Sequence, residues 1–372
     1  MKRLFLLSVL FILSFSFSNA QKYTAANLPD SFSTGKQGAF HVQGIAVDKA
    51  NGFIYFSFTD KLIKMDMSGK LVGSVTGLVG HLGDLAFDAE TNTIYGSLEY
   101  KNDAIGKGIS KRLGVQNTGE ANFYIAIFDA ARIVRPDMHA AEGDVLKTVY
   151  LKEVADDYNA RVNEGDQTVQ HRFGCSGIDG VALGPSFGNS KEPKKYLYVA
   201  YGIYGDTTRS DNDHQVILKY DIANWKTIGQ KLAQENPHHA GPGKPVDKYF
   251  VKTGNTSYGV QNLAFDPYTG NFFAAVYKGS KSQFPNYGLF VIDGHKKPGN
   301  TTITSDNKKV KVKSLSLLNG WHFKWGATGL CPLGDGLFYI SHNKKTSDGQ
   351  QETTIYKYKW VGEGDQAFIL AK

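Results

Sequence analysis

The stretch that decides the fold reads Gly83-Asp84-Leu85-Ala86-Phe87-Asp88, then a turn at Thr91-Asn92, then Thr93-Ile94-Tyr95-Gly96. A small or polar residue leads into an apolar stretch that ends in Asp. A turn follows, and a second apolar stretch runs back. Short β-rich runs joined by a tight turn are typical of a β-hairpin. This segment is therefore predicted to form the first two strands of a sheet.

The same pattern recurs along the chain. Its copies begin at Gln43, Gly83, Asp179, Gln261 and Thr328. A third strand is predicted after each copy, at Leu62–Met67, Phe123–Asp129, Val216–Asp221, Leu289–Asp293 and Thr354–Tyr358. Fourth, outer strands are predicted at Leu71–Val75, Val145–Leu151, Tyr249–Lys252, Val310–Leu317 and Ala367–Leu370. Repetition of four strands predicts an all-β chain folded as a β-propeller of five four-stranded blades. A sixth blade is left open between Tyr100 and Val169, and a short helix is predicted at Ile222–Gln234.

Composition excludes several classes of protein. The 372 residues are 41% hydrophobic and 21% charged, which is unlike a disordered or membrane-embedded chain. Two cysteines are too few for a disulfide scaffold or a cysteine-based zinc module, and whether Cys175 and Cys331 pair stays open. The net charge of +7 is spread along the chain, so no nucleic-acid partner is expected.

The first residues have the pattern of an export signal. Lys2 and Arg3 precede an apolar run, and small residues end it at Ala20. We therefore expect a signal peptide over residues 1–20, a lead-in arm over 21–38 and one propeller domain over 39–372. No second apolar run is long enough to span a membrane. A secreted or periplasmic monomer is expected.

Loop lengths place the candidate site. In an up-and-down blade, the loop between the second and third strands returns to the end of the channel where the inner strand begins. Four of these loops are long: Leu98–Asn122, Tyr201–Gln215, Tyr277–Gly288 and Ser341–Thr353. Long loops at one mouth of a rigid scaffold predict a ligand-binding depression there.

Two sets of residues begin the inner strands at this mouth. One set is Gln43, Gly83, Asp179, Gln261 and Thr328, and the other is Gly44, Asp84, Gly180, Asn262 and Gly329. Because side chains alternate along a strand, only one set is expected to face the channel. Carboxylate and amide oxygens suit Ca²⁺ or Mg²⁺, while ordered water and plain packing are the alternatives.

The repeated polar–glycine–apolar start resembles the SMP-30/gluconolactonase and NHL-like propellers. That resemblance implies a channel with Ca²⁺ or another divalent cation held by Glu, Asn and Asp side chains. By it, Gln43 takes the Glu position, Gln261 the Asn position and Asp179 the Asp position. Two of these three residues are glutamines here, and the family usually has six blades.

Further polar and aromatic residues are expected near the mouth. His171 and Arg172 precede the third inner strand and are predicted, with Asp179, to be catalytic. Imidazoles and aromatic rings with an arginine suit a sugar, so a ligand is expected to contact His41, His81, Tyr201, Tyr204, Arg209, Tyr258, His322 and Trp325. The run Asp211-Asn212-Asp213 resembles a loose calcium loop.

Two functions stay open at this point. The first is an enzyme of the SMP-30 type, a hydrolase or lyase that acts on an extracellular carbohydrate or lactone. The second is a non-catalytic propeller that presents the same mouth to a glycan or a protein. No complete catalytic motif distinguishes them, and fold alone cannot. The dense polar residues of the third repeat favour the enzyme.

Overall fold

The computed structural model describes residues 23–116 and 119–371. The predicted signal peptide lies outside the described residues. Within them, five sheets of four or more strands stand around a central channel, and one further sheet is a small hairpin. Each inner strand contacts the inner strands of the two neighbouring sheets, so the ring is closed. The chain is a five-bladed β-propeller. Two helices, Ala104–Leu113 and Lys152–Asn159, lie in the region left open for a sixth blade, and a third, Trp225–Ile228, lies in a later loop.

The blades are numbered along the chain, and their strands follow from the channel outward. Blade 1 is Val42–Asp48, Phe53–Phe58, Lys61–Asp66 and Leu71–Thr76, with Met138–His139 beside the last. Blade 2 is His81–Asp88, Thr93–Tyr100, Asn122–Asp129, Leu146–Tyr150 and Gln230–Lys231. Blade 3 is Cys175–Gly184, Tyr196–Ile203, His214–Tyr220 and Asp247–Lys252, extended by Lys308–Ser314 and Gly299–Ser305. Blade 4 is Ser257–Asp266, Asn271–Tyr277, Leu289–Ile292 and Leu317–Trp321.

Blade 5 joins the two ends of the chain. Its inner strands are Leu330–Gly334, Leu337–Lys345 and Gln351–Glu363. The N-terminal strand Ser31–Lys36 pairs with the first half of Gln351–Glu363, and the C-terminal strand Gln366–Leu370 pairs with its second half. Both ends of the chain are thus hydrogen-bonded to one strand, which closes the ring.

The remaining elements lie between the strands. Helix α1 is Ala104–Leu113, α2 is Lys152–Asn159 and α3 is Trp225–Ile228. The small hairpin pairs Arg161–Glu164 with Gln167–Gln170. The helix predicted at Ile222–Gln234 is therefore only one turn long. Helix α1 was not predicted because Gly106 and Gly108 lower its helix propensity, whereas the Asp103 side chain caps it at Gly106 N.

One predicted outer strand was assigned to the wrong blade. The sequence placed Val310–Leu317 at the edge of blade 4, but Lys308–Ser314 pairs in parallel with the outer strand of blade 3. Asp306 and Asn307 both have positive φ and turn the chain into a hairpin with Gly299–Ser305. Leu317–Trp321 is the fourth strand of blade 4. A hairpin that pairs with an earlier blade gives no signal in the local periodicity of the sequence.

The core lies between the blades. Aromatic rings pack across boundaries between blades: Tyr55 of blade 1 stacks on Phe87 of blade 2, and Phe273 of blade 4 contacts Phe338 of blade 5 with ring centroids 4.9 Å apart. Since each blade buries its faces against its neighbours, the array is expected to unfold as one unit.

Candidate functional site

Bulges in the inner strands bring both sets of residues into the channel. The pairing register shifts between Val42 and Gly44, between Leu82 and Leu85, and at matching points in blades 3 and 4. An extra residue in a strand interrupts the strict alternation of side chains. The expectation that only one set faces the channel is therefore wrong.

The second set closes the middle of the channel. The Asp84 carboxylate accepts hydrogen bonds from Val181 N at 3.0 Å and Leu263 N at 2.9 Å, and it also accepts one from Leu85 N. Asn262 donates to Gln43 O and accepts from Leu330 N, at 2.7 and 2.6 Å. We call Asp84 and Asn262 the channel plug. It links the inner strands of all five blades.

The other residues of the second set are glycines, and the one in blade 1 allows close packing of two inner strands. A Cβ atom on Gly44 would lie 2.6 Å from Leu85 N, which is too close for a real side chain. Glycine at this position of blade 1 lets its inner strand approach that of blade 2. The glycines in the second set thus serve packing, while Asp84 and Asn262 supply the hydrogen bonds.

Two carboxamides from the first set lie in the channel near the plug. Gln261 Nε2 donates a hydrogen bond to Gln43 Oε1 at 2.7 Å, across the channel from blade 4 to blade 1. Gln43 Nε2 also lies 3.4 Å from His41 Nε2. Burial and the charge of Arg112 lower the pKa of His41. His41 is therefore a neutral imidazole at physiological pH.

Four charged or titratable side chains meet at the upper mouth, the end of the channel where the inner strands begin. Lys101 Nζ lies 2.5 Å from Glu99 Oε1 and donates to Ser176 O at 3.0 Å. His81 Nδ1 lies 3.5 Å from Asp179 Oδ1 and 3.7 Å from Glu99 Oε1. We call His81, Glu99, Lys101 and Asp179 the mouth cluster. His81 Nδ1 and Asp179 Oδ1 are both buried, and neither has a hydrogen-bond partner among the described residues.

Burial sets the protonation states of this cluster. It raises the pKa of Asp179 well above its ordinary value, and the nearby Glu99 carboxylate raises it further. Burial, with the charge of Lys101, lowers the pKa of His81 to about 3. Burial lowers the pKa of Lys101, but the charge of Glu99 outweighs it, and the net shift is upward. The cluster therefore holds a Glu99–Lys101 ion pair beside an imidazole for which burial favours the neutral form and a carboxyl group for which burial favours the protonated form.

Glu99 is held in place by the backbone of blade 3. Its Oε2 accepts a hydrogen bond from Ile178 N at 2.9 Å. Gly177 has φ +121°, and a Cβ on it would lie 2.0 Å from that oxygen. Only glycine leaves room for the carboxylate here.

The long loops meet above this mouth. Tyr204 of the blade 3 loop donates to Asp103 Oδ2 of the blade 2 loop at 2.7 Å. Lys281 of the blade 4 loop reaches Asn212 of the blade 3 loop, and Lys36 pairs with Asp348 of the blade 5 loop. Helix α1 lies in the blade 2 loop, and Arg112 lies over the Phe40 ring. The loops form a wall around the upper mouth.

Several predicted site residues stand outside the mouth cluster. Arg172 pairs with Asp157 of α2 at 3.1 Å, rather than with Asp179. His171 packs between the rings of Tyr158 and Tyr204, and its Nδ1 lies 2.6 Å from Tyr158 O. Burial lowers the pKa of His171. The two residues border the loop wall, and Tyr204 joins them there.

Two further predicted ligand contacts are engaged by the protein. Arg209 is buried and forms a two-pronged ion pair with Asp211, and it also donates to Gln170 O and His171 O. The Tyr201 hydroxyl donates to Asp157 Oδ2 at 2.8 Å inside the core. These contacts fix the blade 3 loop and α2 to the blade.

The acidic run that resembles a calcium loop already holds a cation of the protein. The Lys281 ammonium donates to Arg209 O at 2.5 Å and to Asn212 Oδ1 at 2.8 Å, and it pairs with Asp213. Lys281 is 4% exposed. A lysine on the blade 4 loop thus occupies the place predicted for a metal ion.

The remaining predicted contacts lie on the blade 4 and blade 5 side of the mouth. Tyr258 is exposed and packs edge-on against Tyr277. His322 packs edge-on against Tyr287, and Trp325 stacks on His342 with centroids 3.7 Å apart. An open cavity of about 500 Å³ lies among the end of the second strand of blade 4, the loop after it and the segment that leads into blade 5, and its lining includes Tyr277, Lys278, Asn286, His322 and Lys324. We call it the side cavity.

The donor set implied for a divalent cation does not suit one. Gln43 Oε1 accepts the hydrogen bond of Gln261, and the Lys101 ammonium already balances the carboxylate beside Asp179. Hard cations favour several carboxylate oxygens. Among residues 23–116 and 119–371, no three His, Cys, Asp or Glu side chains are grouped to hold a metal ion. The chemistry below is therefore assigned to side chains alone.

Glu99 and Lys101 were missed by the sequence analysis. Glu99 is the next-to-last residue of the second strand of blade 2 and Lys101 directly follows that strand, both within the predicted loop Leu98–Asn122. If the pairing continued without a bulge from the paired residues Asp88 and Thr93, His81 would lie opposite Tyr100. The bulge between Leu82 and Leu85 instead places His81 opposite Glu99. The register shift that places the carboxylate beside His81 is not visible in the residues alone.

No known protein family matches the chain, and no curated protein does. Solved structures do resemble it. One is the calcium structure of a carbohydrate-active enzyme of family AA12 from Trichoderma reesei, with 10% identity, a TM-score of 0.39, and 84% of this chain and 80% of that chain covered. Another is the holo PQQ domain of a pyranose dehydrogenase from Coprinopsis cinerea, with 12% identity, a TM-score of 0.37, and coverage of 84% and 81%. Values this low say nothing about the chemistry of this chain.

Proposed function

We propose that this protein is a secreted or periplasmic propeller that acts on a carbohydrate or lactone at its upper mouth by acid–base catalysis. The observation that carries the proposal is the pair Asp179 and His81. Their Oδ1 and Nδ1 atoms face each other at 3.5 Å, buried and without hydrogen-bond partners. Buried polar atoms are rarely left unpaired unless they serve a ligand or a reaction.

The two groups differ in the way that acid–base chemistry needs. Burial raises the pKa of Asp179 and lowers that of His81, which favours a protonated carboxyl that would donate and a neutral imidazole that would accept a proton. For a lactone, His81 would take a proton from water as its oxygen bonds to the carbonyl carbon. The ring C–O bond would then break, and the leaving oxygen would take the proton of Asp179.

The Glu99–Lys101 pair would position this acid and base. Glu99 accepts from Ile178 N, one residue before Asp179, and Lys101 Nζ donates to Ser176 O. The pair therefore fixes the backbone that carries Asp179. Its carboxylate also lies close to His81, where it would stabilise the imidazolium formed during turnover.

The second candidate function is binding without catalysis. It is favoured by the aromatic side of the mouth, where Tyr258, Tyr277 and Trp325 lie near polar groups. Sugar rings pack their C–H faces on such side chains. This function needs no proton transfer at Asp179.

Turnover of a panel of sugar lactones, followed by pH-stat titration, tests the proposal. We expect Asp179→Asn and His81→Asn each to lower kcat by about 100-fold or more, within the range for general acid–base groups. Affinity for the substrate should change only a few-fold. The control is Glu90→Gln, which removes an exposed acid at the opposite end of blade 2.

The outcomes separate the candidates. Full turnover in Asp179→Asn would overturn the acid–base proposal. Sugar binding by the wild type without turnover of any lactone would instead leave the protein as a binding propeller.

A further inference from the structure

The side cavity is an electropositive compartment beside the mouth cluster. None of its lining residues in the described part of the chain is acidic, and two of them, Lys278 and Lys324, carry ammonium groups. No carboxylate of the described residues lies within 4.0 Å of either ammonium. Lys324 instead lies 4.6 Å from the centre of the Trp325 ring. The positive charge here is therefore not neutralised by an ion pair with any of the residues that the structure describes.

The cavity also has a fixed amide. Asn286 Nδ2 donates to Lys281 O at 2.9 Å and to Phe284 O at 3.1 Å, which holds the side chain in one orientation. Its Oδ1 has no hydrogen-bond partner among the described residues. Because Lys281 is itself anchored in the blade 3 loop, the wall of the cavity that Asn286 forms is rigid.

Tyr277 connects the cavity to the mouth cluster. It ends the second strand of blade 4 and lines the cavity, and its ring lies 5.2 Å from that of Tyr258. Tyr277 pairs with Ser257, the first residue of the inner strand of blade 4. The side cavity therefore lies at the upper mouth, where the inner strands begin.

We propose that the side cavity binds the carboxylate of an acidic sugar, with Lys278 and Lys324 as its cationic partners. The proposal rests on the proposed function, because the sugar ring would pack on Tyr277 and present its reacting group to Asp179 and His81. A carboxylate matches two ammonium groups that no acid in residues 23–116 and 119–371 neutralises, whereas a neutral sugar would offer them no opposite charge. The substrate class is therefore a uronate or an aldonic acid lactone that carries a second acid group.

Calorimetric or NMR titration with sodium D-glucuronate and sodium D-galacturonate tests this, with D-glucose and D-galactose as neutral probes. We expect the uronates to bind at least about 10-fold more tightly than the neutral sugars in low salt. The preference should shrink as NaCl rises, since partly exposed charges are screened. Glucose 6-phosphate is a further arm, and tighter binding of it than of the uronates would show that the cavity selects phosphate and would overturn the assignment to a carboxylate.

The matched variants are two double substitutions with the same change in charge. Lys278→Met with Lys324→Met should remove the preference for uronates and leave affinity for neutral sugars within a few-fold. Lys70→Met with Lys359→Met changes two exposed lysines at the opposite end of the propeller and should leave the preference intact. Equal loss in both double variants would mean that general charge, and not the cavity, selects the ligand, and would overturn the proposal.

Failure of this inference differs from failure of the proposed function. Equal affinity for uronates and neutral sugars, with turnover that depends on Asp179, would reject the acidic-sugar site and leave the acid–base site standing. A wild-type protein that binds none of these sugars and turns over no lactone would reject both.

Discussion

At the scale of the single residue, Lys281 shows how one side chain can replace a metal ion. Its ammonium satisfies Arg209 O, Asn212 Oδ1 and the Asp213 carboxylate inside the loop wall. We expect Lys281→Met to lower the free energy of unfolding by about 3–5 kcal/mol, because it leaves a partly buried carboxylate unpaired. Urea denaturation measures the loss. Lys296→Met, at an exposed lysine, is the control, and equal stability of the two variants would contradict this reading of Lys281.

The same loop and the channel allow a test for metal ions. Lysine ammonium groups stand beside the acids of both places, so we expect chelation with EDTA to leave the melting temperature of the wild type unchanged. Differential scanning calorimetry with and without added calcium checks this. A rise in melting temperature with calcium that Asp179→Asn abolishes would restore the divalent-cation reading of Gln43, Asp179 and Gln261.

At the scale of the element, the bulges in the inner strands bring polar side chains of one blade into hydrogen-bond contact with the backbone of other blades. Asp84 projects from the blade 2 strand and accepts backbone N–H groups of blades 3 and 4. Burial raises the pKa of Asp84, and the three N–H donors oppose that rise. The side chain is therefore specified as an acceptor at both of its oxygens.

Asp84→Asn should therefore lower the free energy of unfolding, although the two side chains have the same shape. Both oxygens of Asp84 accept hydrogen bonds from backbone N–H groups. In either orientation the NH₂ group of asparagine would therefore face a backbone N–H, and a buried donor would be left without an acceptor. We expect a loss of about 1–3 kcal/mol in the free energy of unfolding. Asp335→Asn is the control, because Asp335 has φ +55° in a turn that asparagine tolerates well. If chemical denaturation finds the two variants alike, the hydrogen bonds of Asp84 do not join the blades.

At the scale of the whole molecule, the ring is closed by hydrogen bonds and packing at blade 5. Phe32 of the N-terminal strand is buried and lies 5.9 Å from the Phe56 ring of blade 1. Phe32→Ala should lower the free energy of unfolding by about 3–5 kcal/mol, through lost burial and a cavity at the closure. Ser31→Ala, on the exposed side of the strand, should change it by less than about 0.5 kcal/mol.

The closure also predicts how the protein unfolds. Both variants should melt in a single transition that is shifted as a whole, because every blade depends on its neighbours. An early separate transition in Phe32→Ala would show that blade 5 opens independently of the other blades.

The stability of the whole molecule should depend on pH through His81. Its folded pKa is about 3, against an unfolded value of about 6.5, so unfolding takes up a proton between these values. This contribution is complete above about pH 6.5 and is lost as the pH falls toward 3. The raised pKa of Asp179 acts in the opposite sense, since its contribution is present at low pH and is lost as the pH rises through the folded value.

Urea denaturation between pH 7 and pH 4 separates the contribution of His81 to stability from that of Asp179. His81→Asn should lose less stability on acidification than the wild type, whereas the exposed His139→Asn should lose as much. Parallel pH curves for the wild type and His81→Asn would show that this imidazole is protonated in the folded protein.

The fold was open to prediction from the residues because its signals are local. Turn residues such as Asn51-Gly52 and Asp335-Gly336 lie between short apolar runs, and their recurrence specifies blades of the same order. The predicted hairpins and third strands correspond closely to the strands observed. The misassigned hairpin at Lys308–Ser314 is the exception, since it joins a blade that lies earlier in the chain.

The site was open to prediction only in part. Asp179 and His81 could be named because each stands at the same step of a repeat, and the repeat puts that step at one mouth. Glu99, Lys101 and Lys281 could not, because a bulge sets the first opposite His81 and loops from other blades supply the partners of the rest. By itself the sequence determined the number of blades and the end of the channel at which the long loops lie, through contacts between near neighbours. Only the tertiary structure decided which side chains meet there and which of them stay uncharged, because both depend on burial and on distances between residues far apart in the chain.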